Sequence, residues 1–142
     1  MIVNTAYPFM IAKTPAANPI LFENGVSNYQ TAFTKASLDT SGLNLLPNAT
    51  ADFYDIPLFK FSILNFSGNG GAFAKATIYI EVLDTNGASI YTSNGFELNK
   101  RNSSPSNHAF TIPEQYRKDG YGIRFKTPNG NSAIIYSASF ST

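Results

Sequence analysis

The chain has 142 residues, a formal net charge of +1, and 13% charged against 43% hydrophobic residues. That length fits one domain with a real core, and the near-zero balance gives no field to gather phosphate backbones, so no nucleic-acid partner is expected. Cys is absent, which removes disulfides, thiolate nucleophiles, Cys-ligated zinc and iron–sulfur clusters.

No segment approaches the about 20 apolar residues of a membrane span, so no membrane partner is expected. The opening Met1-Ile2-Val3-Asn4-Thr5 lacks both the basic region and the apolar run of a signal peptide. A bacterial or phage product, folded without oxidation, fits these features. Polar character comes from Asn, Ser, Thr and Gly.

In chain order, residues 1–30 read as an N-terminal arm with a first strand. Ala6 to Ala12 alternates enough for a strand, which Pro8 confines to an edge. Thr14-Pro15-Ala16-Ala17-Asn18-Pro19 is extended, because each proline turns its predecessor away from helix. Such an arm, with Tyr7 and Phe9 as its aromatic contacts, would lie across a neighbouring subunit. Residues 31–142 then read as one β-sandwich.

Tyr29 to Lys35 alternates aromatic and polar residues, as a strand does. Residues 39–57, rich in Asp, Gly, Asn and Pro, read as a long loop with at most a short strand at 43–46. The apolar run from Pro57 to Phe66 reads as a central strand, with Phe59, Phe61 and Ile63 sharing one face. Ser67-Gly68-Asn69-Gly70-Gly71 reads as a turn leading into a strand over 72–83.

The clearest unit is Ala76 to Leu83, then Asp84-Thr85-Asn86-Gly87, then Ala88 to Thr92. Alternating apolar residues around an Asn-Gly turn are a strong hairpin signal. Asp first and Gly last suit a type I turn closed by a bulge, which would pair Val82 with Ile90 and Ile80 with Thr92. The outer face would then carry Tyr79, Glu81 and Tyr91, with Asn94 nearby. Thr127-Pro128-Asn129-Gly130 reads as a second hairpin, pairing Phe125 with Ala133 and Ile123 with Ile135. That register leaves Ile134 and Tyr136 in need of cover from another segment or subunit. About eight strands result, the number of an antiparallel, jelly-roll-like sandwich.

Catalytic chemistry finds little support. His108 is the lone histidine and reads as a rim residue, and no nucleophile elbow, zinc helix or phosphate loop occurs. Glu81 and Glu97 lie on one hairpin, yet nothing sets them the roughly 5–10 Å apart that glycosidase carboxylates need. Asp52 and Asp55 near Asn48 are the oxygen type that Ca²⁺ takes, but two loop carboxylates make no site. No catalytic residue, metal or cofactor is expected. The outer face fits sugar better: C–H faces of a pyranose stack on tyrosine rings, and Glu81 and Asn94 meet hydroxyls.

The run Ile80 to Gly87, with Ala109-Phe110-Thr111-Ile112-Pro113 and Tyr121-Gly122-Ile123-Arg124-Phe125, resembles the back half of galactose-binding-like jelly rolls. Those domains occur in carbohydrate-binding modules and in phage baseplate or decoration proteins. The opening residues Met1 to Phe9 also resemble the start of small phage structural proteins. The resemblance implies a non-enzymatic virion component, a homo-oligomer joined to other virion proteins through Tyr7, Phe9, Ile134 and Tyr136. The alternative is a bacterial extracellular or cell-surface module that binds glycans through Tyr79, Glu81, Tyr91 and Asn94. The chain holds no Trp, so sugar stacking would fall to tyrosine.

Overall fold

The computed structural model describes residues 19–142. Residues 1–18, with the arm's Tyr7, Phe9 and proposed strand, lie outside the described residues. Eleven strands follow in order: β1 Ile20–Glu23, β2 Val26–Ser27, β3 Gln30–Asp39, β4 Gly42–Pro57, β5 Ile63–Asn69, β6 Ala76–Leu83, β7 Ser89–Thr92, β8 Phe96–Leu98, β9 Ser106–Thr111, β10 Asp119–Lys126 and β11 Ala133–Ser141. Every pairing among them is antiparallel.

The strands form an all-β sandwich of two layers. One runs β3-β4-β10-β6-β7, with β8 on the first half of β6. The other runs β2-β1-β11-β5-β9. Phenylalanines join them: Phe22 of β1 stacks on Phe53 of β4 at 5.2 Å, and Phe66 of β5 meets Phe125 of β10 edge-on at 5.7 Å. Alternation supplies the inner faces, since Phe53, Ile78, Ile80, Val82, Ile123 and Phe125 are all fully buried. The stretch read as the end of the arm belongs to the sheet: Ile20 and Phe22 pair with Ser139 and Ala138, and Leu21 and Phe22 are fully buried.

Three local expectations are corrected. Residues 39–57 are not a loop; β4 is the longest strand, and its second half pairs with β10 while its first half pairs with β11. The Pro47-Asn48 corner, with Asn48 at φ 57°, carries it from one layer to the other. Pro57 to Phe66 is not one strand, because Leu58–Lys60 forms a 3-10 turn before β5. That turn buries Leu58 and turns Phe59 out to solvent. Finally, 127–130 does not close a hairpin: Ile123 and Phe125 pair with Phe53 and Ala51 on one side and with Val82 and Ile80 on the other. The segment crosses between layers, and Thr127, fully buried, fastens it with its hydroxyl on Leu46 O at 2.7 Å.

The Asp84 to Gly87 turn forms as expected. Asp84 N–H donates to Ala88 O at 2.9 Å and Gly87, at φ 83°, donates to Asp84 O at 3.0 Å. One bulge then shifts the register, so that Leu83 faces Ser89 but Val82 faces Tyr91 instead of Ile90.

Candidate functional site

The outward half of the alternation on the β4-β10-β6 layer builds a charged row. Asp52 faces Arg124, Arg124 faces Glu81, and Glu81 faces Thr92, four strands in register. Arg124 Nε and Nη2 reach Asp52 Oδ1 and Oδ2 at 2.7 and 3.0 Å, a two-pronged contact, and Nη1 reaches Glu81 Oε1 at 3.2 Å. Thr92 Oγ1 donates to Glu81 Oε2 at 3.2 Å, and Tyr54 OH donates to Asp52 Oδ2 at 3.1 Å. Only 8% of Asp52 and 4% of Glu81 is exposed. Buried carboxylate oxygens need partners, and those of both residues have them.

The electrostatics follow from this geometry. Its hydrogen bond to Asp52 raises the Arg124 pKa, burial opposes, and the charges of Asp52 and Glu81 add to the rise. Burial, then the charge and hydrogen bond of Asp52, lift the Tyr54 phenol above 10.0, while Arg124 works against them. Lys126 is the looser cation, half exposed with Nζ 3.8 Å from Glu81 Oε2. Two acids and two bases leave the row neutral.

Two half-buried tyrosines bracket the row. Tyr54 lies two residues beyond Asp52 on β4, and Tyr79 two residues before Glu81 on β6. Strand spacing and rise put their Cα atoms about 16 Å apart on a diagonal. Tyr79, Glu81, Thr92, Lys126 and Pro128 line a surface hollow of about 330 Å³. Gly95 passes directly over this end: a Cβ there would stand 2.5 Å from Thr77 Cγ2 and 3.4 Å from the Tyr79 ring.

The expected residues divide. Tyr79 and Glu81 share the outer face as anticipated. Tyr91 does not join them, because the bulge puts it opposite Val82, on the inner side. There it stacks on Phe110 at 6.1 Å and meets Tyr116 at 5.7 Å, closing an edge of the core. Asn94 is exposed in the link after β7, next to Ser93, whose hydroxyl accepts from Ile80 N–H at 3.0 Å. Ile134 is buried within the chain, and Tyr136 OH donates to Asn69 Oδ1 at 2.7 Å. Asn69 in turn donates through Nδ2 to carbonyls of the 99–104 segment, which ties Tyr136 to that segment through one side chain.

Sequence reasoning missed Asp52, Tyr54, Thr92, Arg124 and Lys126. The signal was present as polar residues two apart within apolar strands, at Asp52/Tyr54 and Arg124/Lys126. Asp52 is no loop ligand for Ca²⁺, since Arg124 takes both its oxygens. Among the described residues no three His, Asp or Glu side chains converge as metal ligands. His108 packs against both the Phe66 and Phe96 rings, its Nε2 2.7 Å from Glu97 O.

The chain shares its fold with carbohydrate-binding modules. A family 29 module superposes with a TM-score of 0.65 at 16% identity, covering 89% of this chain and 93% of the other. Another variant of that module, solved in complex with cellulohexaose, gives 0.61 at 14% identity over 87% and 89%. The CBM36-1 domain of a multidomain xylanase from the hindgut metagenome of Trinervitermes trinervoides gives 0.55 at 11% identity over 81% and 91%. No protein-family profile and no curated protein sequence matches this chain.

Proposed function

We propose that this chain is a non-catalytic glycan-binding domain that holds a sugar chain on the outer face of its β4-β10-β6-β7 layer. The observation that carries the proposal is the row Asp52–Arg124–Glu81–Thr92 bracketed by Tyr54 and Tyr79. Carboxylate oxygens keep spare lone pairs after binding a guanidinium, so Asp52 and Glu81 still accept from sugar hydroxyls. Lys126 donates to ring and glycosidic oxygens, and the Thr92 hydroxyl, whose proton goes to Glu81, accepts from a sugar hydroxyl. Tyr79 offers an apolar ring to the C–H face of a pyranose. Neutrality of the row favours an uncharged polysaccharide over an anionic one, and the open diagonal suits a stretch of chain over a single terminal sugar. An extracellular or cell-surface setting goes with this reading.

Affinity electrophoresis in soluble β-glucans and mannans, backed by a glycan array, tests it directly. Wild type is expected to be retarded, and Tyr79→Ala to lose about tenfold or more, as truncation of a central aromatic contact does. Lys126→Ala should lose less. Wild-type mobility unchanged in every polysaccharide would refute the proposal. The virion reading, carried by the likeness of the opening residues, requires self-association through Tyr7 and Phe9. Sedimentation velocity separates the two, because a glycan-binding monomer needs no second copy.

A further inference from the structure

The loops at one end of the sandwich form a surface unlike the rest. Chain segments 46–48, 70–75, 99–105 and 127–132 meet there, as the register of Ala76 with Leu98, Gly68 with Ser106, Asn69 with Ile134 and Thr50 with Lys126 requires. At its apex Phe73 is 97% exposed, the most exposed large apolar side chain among the described residues, between Ala72 and Ala74, which are also exposed. Leu46, 61% exposed, lies at the same end.

The root of the apex is held at Gly70 and Gly71. Gly70 N–H donates to Asn99 O at 2.6 Å and Arg101 N–H to Gly71 O at 2.8 Å, while Arg101 Nε reaches Gly70 O at 3.2 Å. These bonds, with the amide of Asn69, tie the root of the Phe73 loop to the segment that carries the exposed Lys100-Arg101 pair. Lys75 follows Phe73 by two residues and sits 3.5 Å from Glu97. Three cations therefore surround the apex against one anion. The opposite end, around the β6–β7 turn and the start of β10, carries Asp55, Asp84, Glu114 and Asp119 against Lys60, Arg117 and Lys118, one negative charge in excess, so the surplus of cations belongs to the apex.

We infer that this end docks on the surface of an anionic lipid bilayer, with Phe73 entering the headgroup–acyl boundary and Lys75, Lys100 and Arg101 meeting acidic headgroups. An isolated ring with no polar atom gains by leaving water for an apolar phase, and basic residues beside it are drawn to acidic lipid within a Debye length. An aqueous polyanion would satisfy the cations but leave Phe73 and Leu46 in water. The contact is peripheral and spans nothing. The glycan face shares only Pro128 with this end, while Tyr54 and the Asp52–Arg124–Glu81 row lie along the side of the sandwich.

Flotation of the full chain with phosphatidylcholine vesicles, with and without phosphatidylserine, tests the inference. Binding is expected only with phosphatidylserine and should weaken as salt rises. Phe73→Ser should cut partitioning about tenfold or more, and Lys100→Glu about fivefold or more. Both should melt like wild type, since Phe73 is exposed and the exposed Lys100 makes no side-chain bond among the described residues. Tyr79→Ala should float as wild type does even if it loses sugar. Three results would overturn the inference: no flotation at either composition; retention on heparin without flotation, which points to a polyanion; or Phe73-dependent self-association without flotation, which points to a second copy.

Discussion

The sandwich's two outer faces rest on the same pleat and carry opposite chemistry. The β4-β10-β6-β7 face holds Asp52, Arg124, Glu81 and Lys126 between two tyrosines. The β11-β5-β9 face holds Ser137, Ser139, Asn65, Ser67 and Asn107 around a shallow hollow of about 400 Å³. Inward residues are phenylalanines and branched aliphatics in both layers. Folding therefore constrains only half of each strand, and the other half is free to carry a function. One face spends that freedom on coupled charges, the other on uncharged hydroxyls and amides.

Substitutions sharpen or break this contrast. Arg124→Ala is expected to be the most damaging, because it strands Asp52 and Glu81 without their shared cation; losing one partner of a buried pair costs about 3–5 kcal/mol. Urea melts would show the midpoint fall, and an unchanged midpoint would mean that the row is surface decoration. Asn69→Ala should cost about 1–3 kcal/mol, since its amide satisfies carbonyls of the 99–104 segment and accepts from Tyr136. Trypsin should then cut faster after Lys100 or Arg101.

Tyr91→Ala should cost about 2 kcal/mol by opening the edge against Phe110 and Tyr116, with sugar retardation intact. Tyr79→Ala should do the reverse. If both variants lose binding without losing stability, the bulge at Ile90, between the Val82–Tyr91 and Leu83–Ser89 pairs, is not where the structure puts it.

Alkaline pH gives a smaller effect. The phenols of Tyr29 and Tyr54 are held above 10.0, Tyr29 by burial and Tyr54 by burial and Asp52. A raised folded pKa contributes stability that is whole below the unfolded value and disappears as pH climbs through the folded one. Melting temperature should thus hold to about pH 10 and drop beyond it, and the Tyr29→Phe/Tyr54→Phe double variant should flatten the drop. Smallest of all, Ser139→Ala on the opposite face should stay within about 0.5 kcal/mol of wild type.

How far these features can be read from residues alone depends on range. The alternation of Ala76 to Leu83 and the chemistry of Asp84 to Gly87 are local, and both appear as read. β4 was hidden because Pro47, Asn48, Asp52 and Asp55 look like loop residues one at a time. Pro47 and Asn48 make a corner, Asp52 is an outward strand residue, and Asp55, at φ 59°, lies in a bulge opposite Gly122. A Cβ on Gly122 would stand 2.5 Å from Phe53 O, so glycine is what lets that bulge close. Thr127 to Gly130 does reverse the chain, but a reversal does not say which strand lies beside it. One extra residue, Ile90, moves Tyr91 to the inner side, since register has period two and a single slip exchanges the faces. Arg124 becomes visible as the centre of a site only once β4, β10 and β6 are neighbours.

Because β4 pairs with both β10 and β11, the two layers share an uninterrupted piece of backbone. Neither layer can peel away while the other stays intact, for separation would tear one strand along its own length. Amide protons at Leu43 and at Phe53, on opposite sides of the Pro47-Asn48 corner, should therefore exchange through the same rare opening, and the domain should melt as one cooperative body.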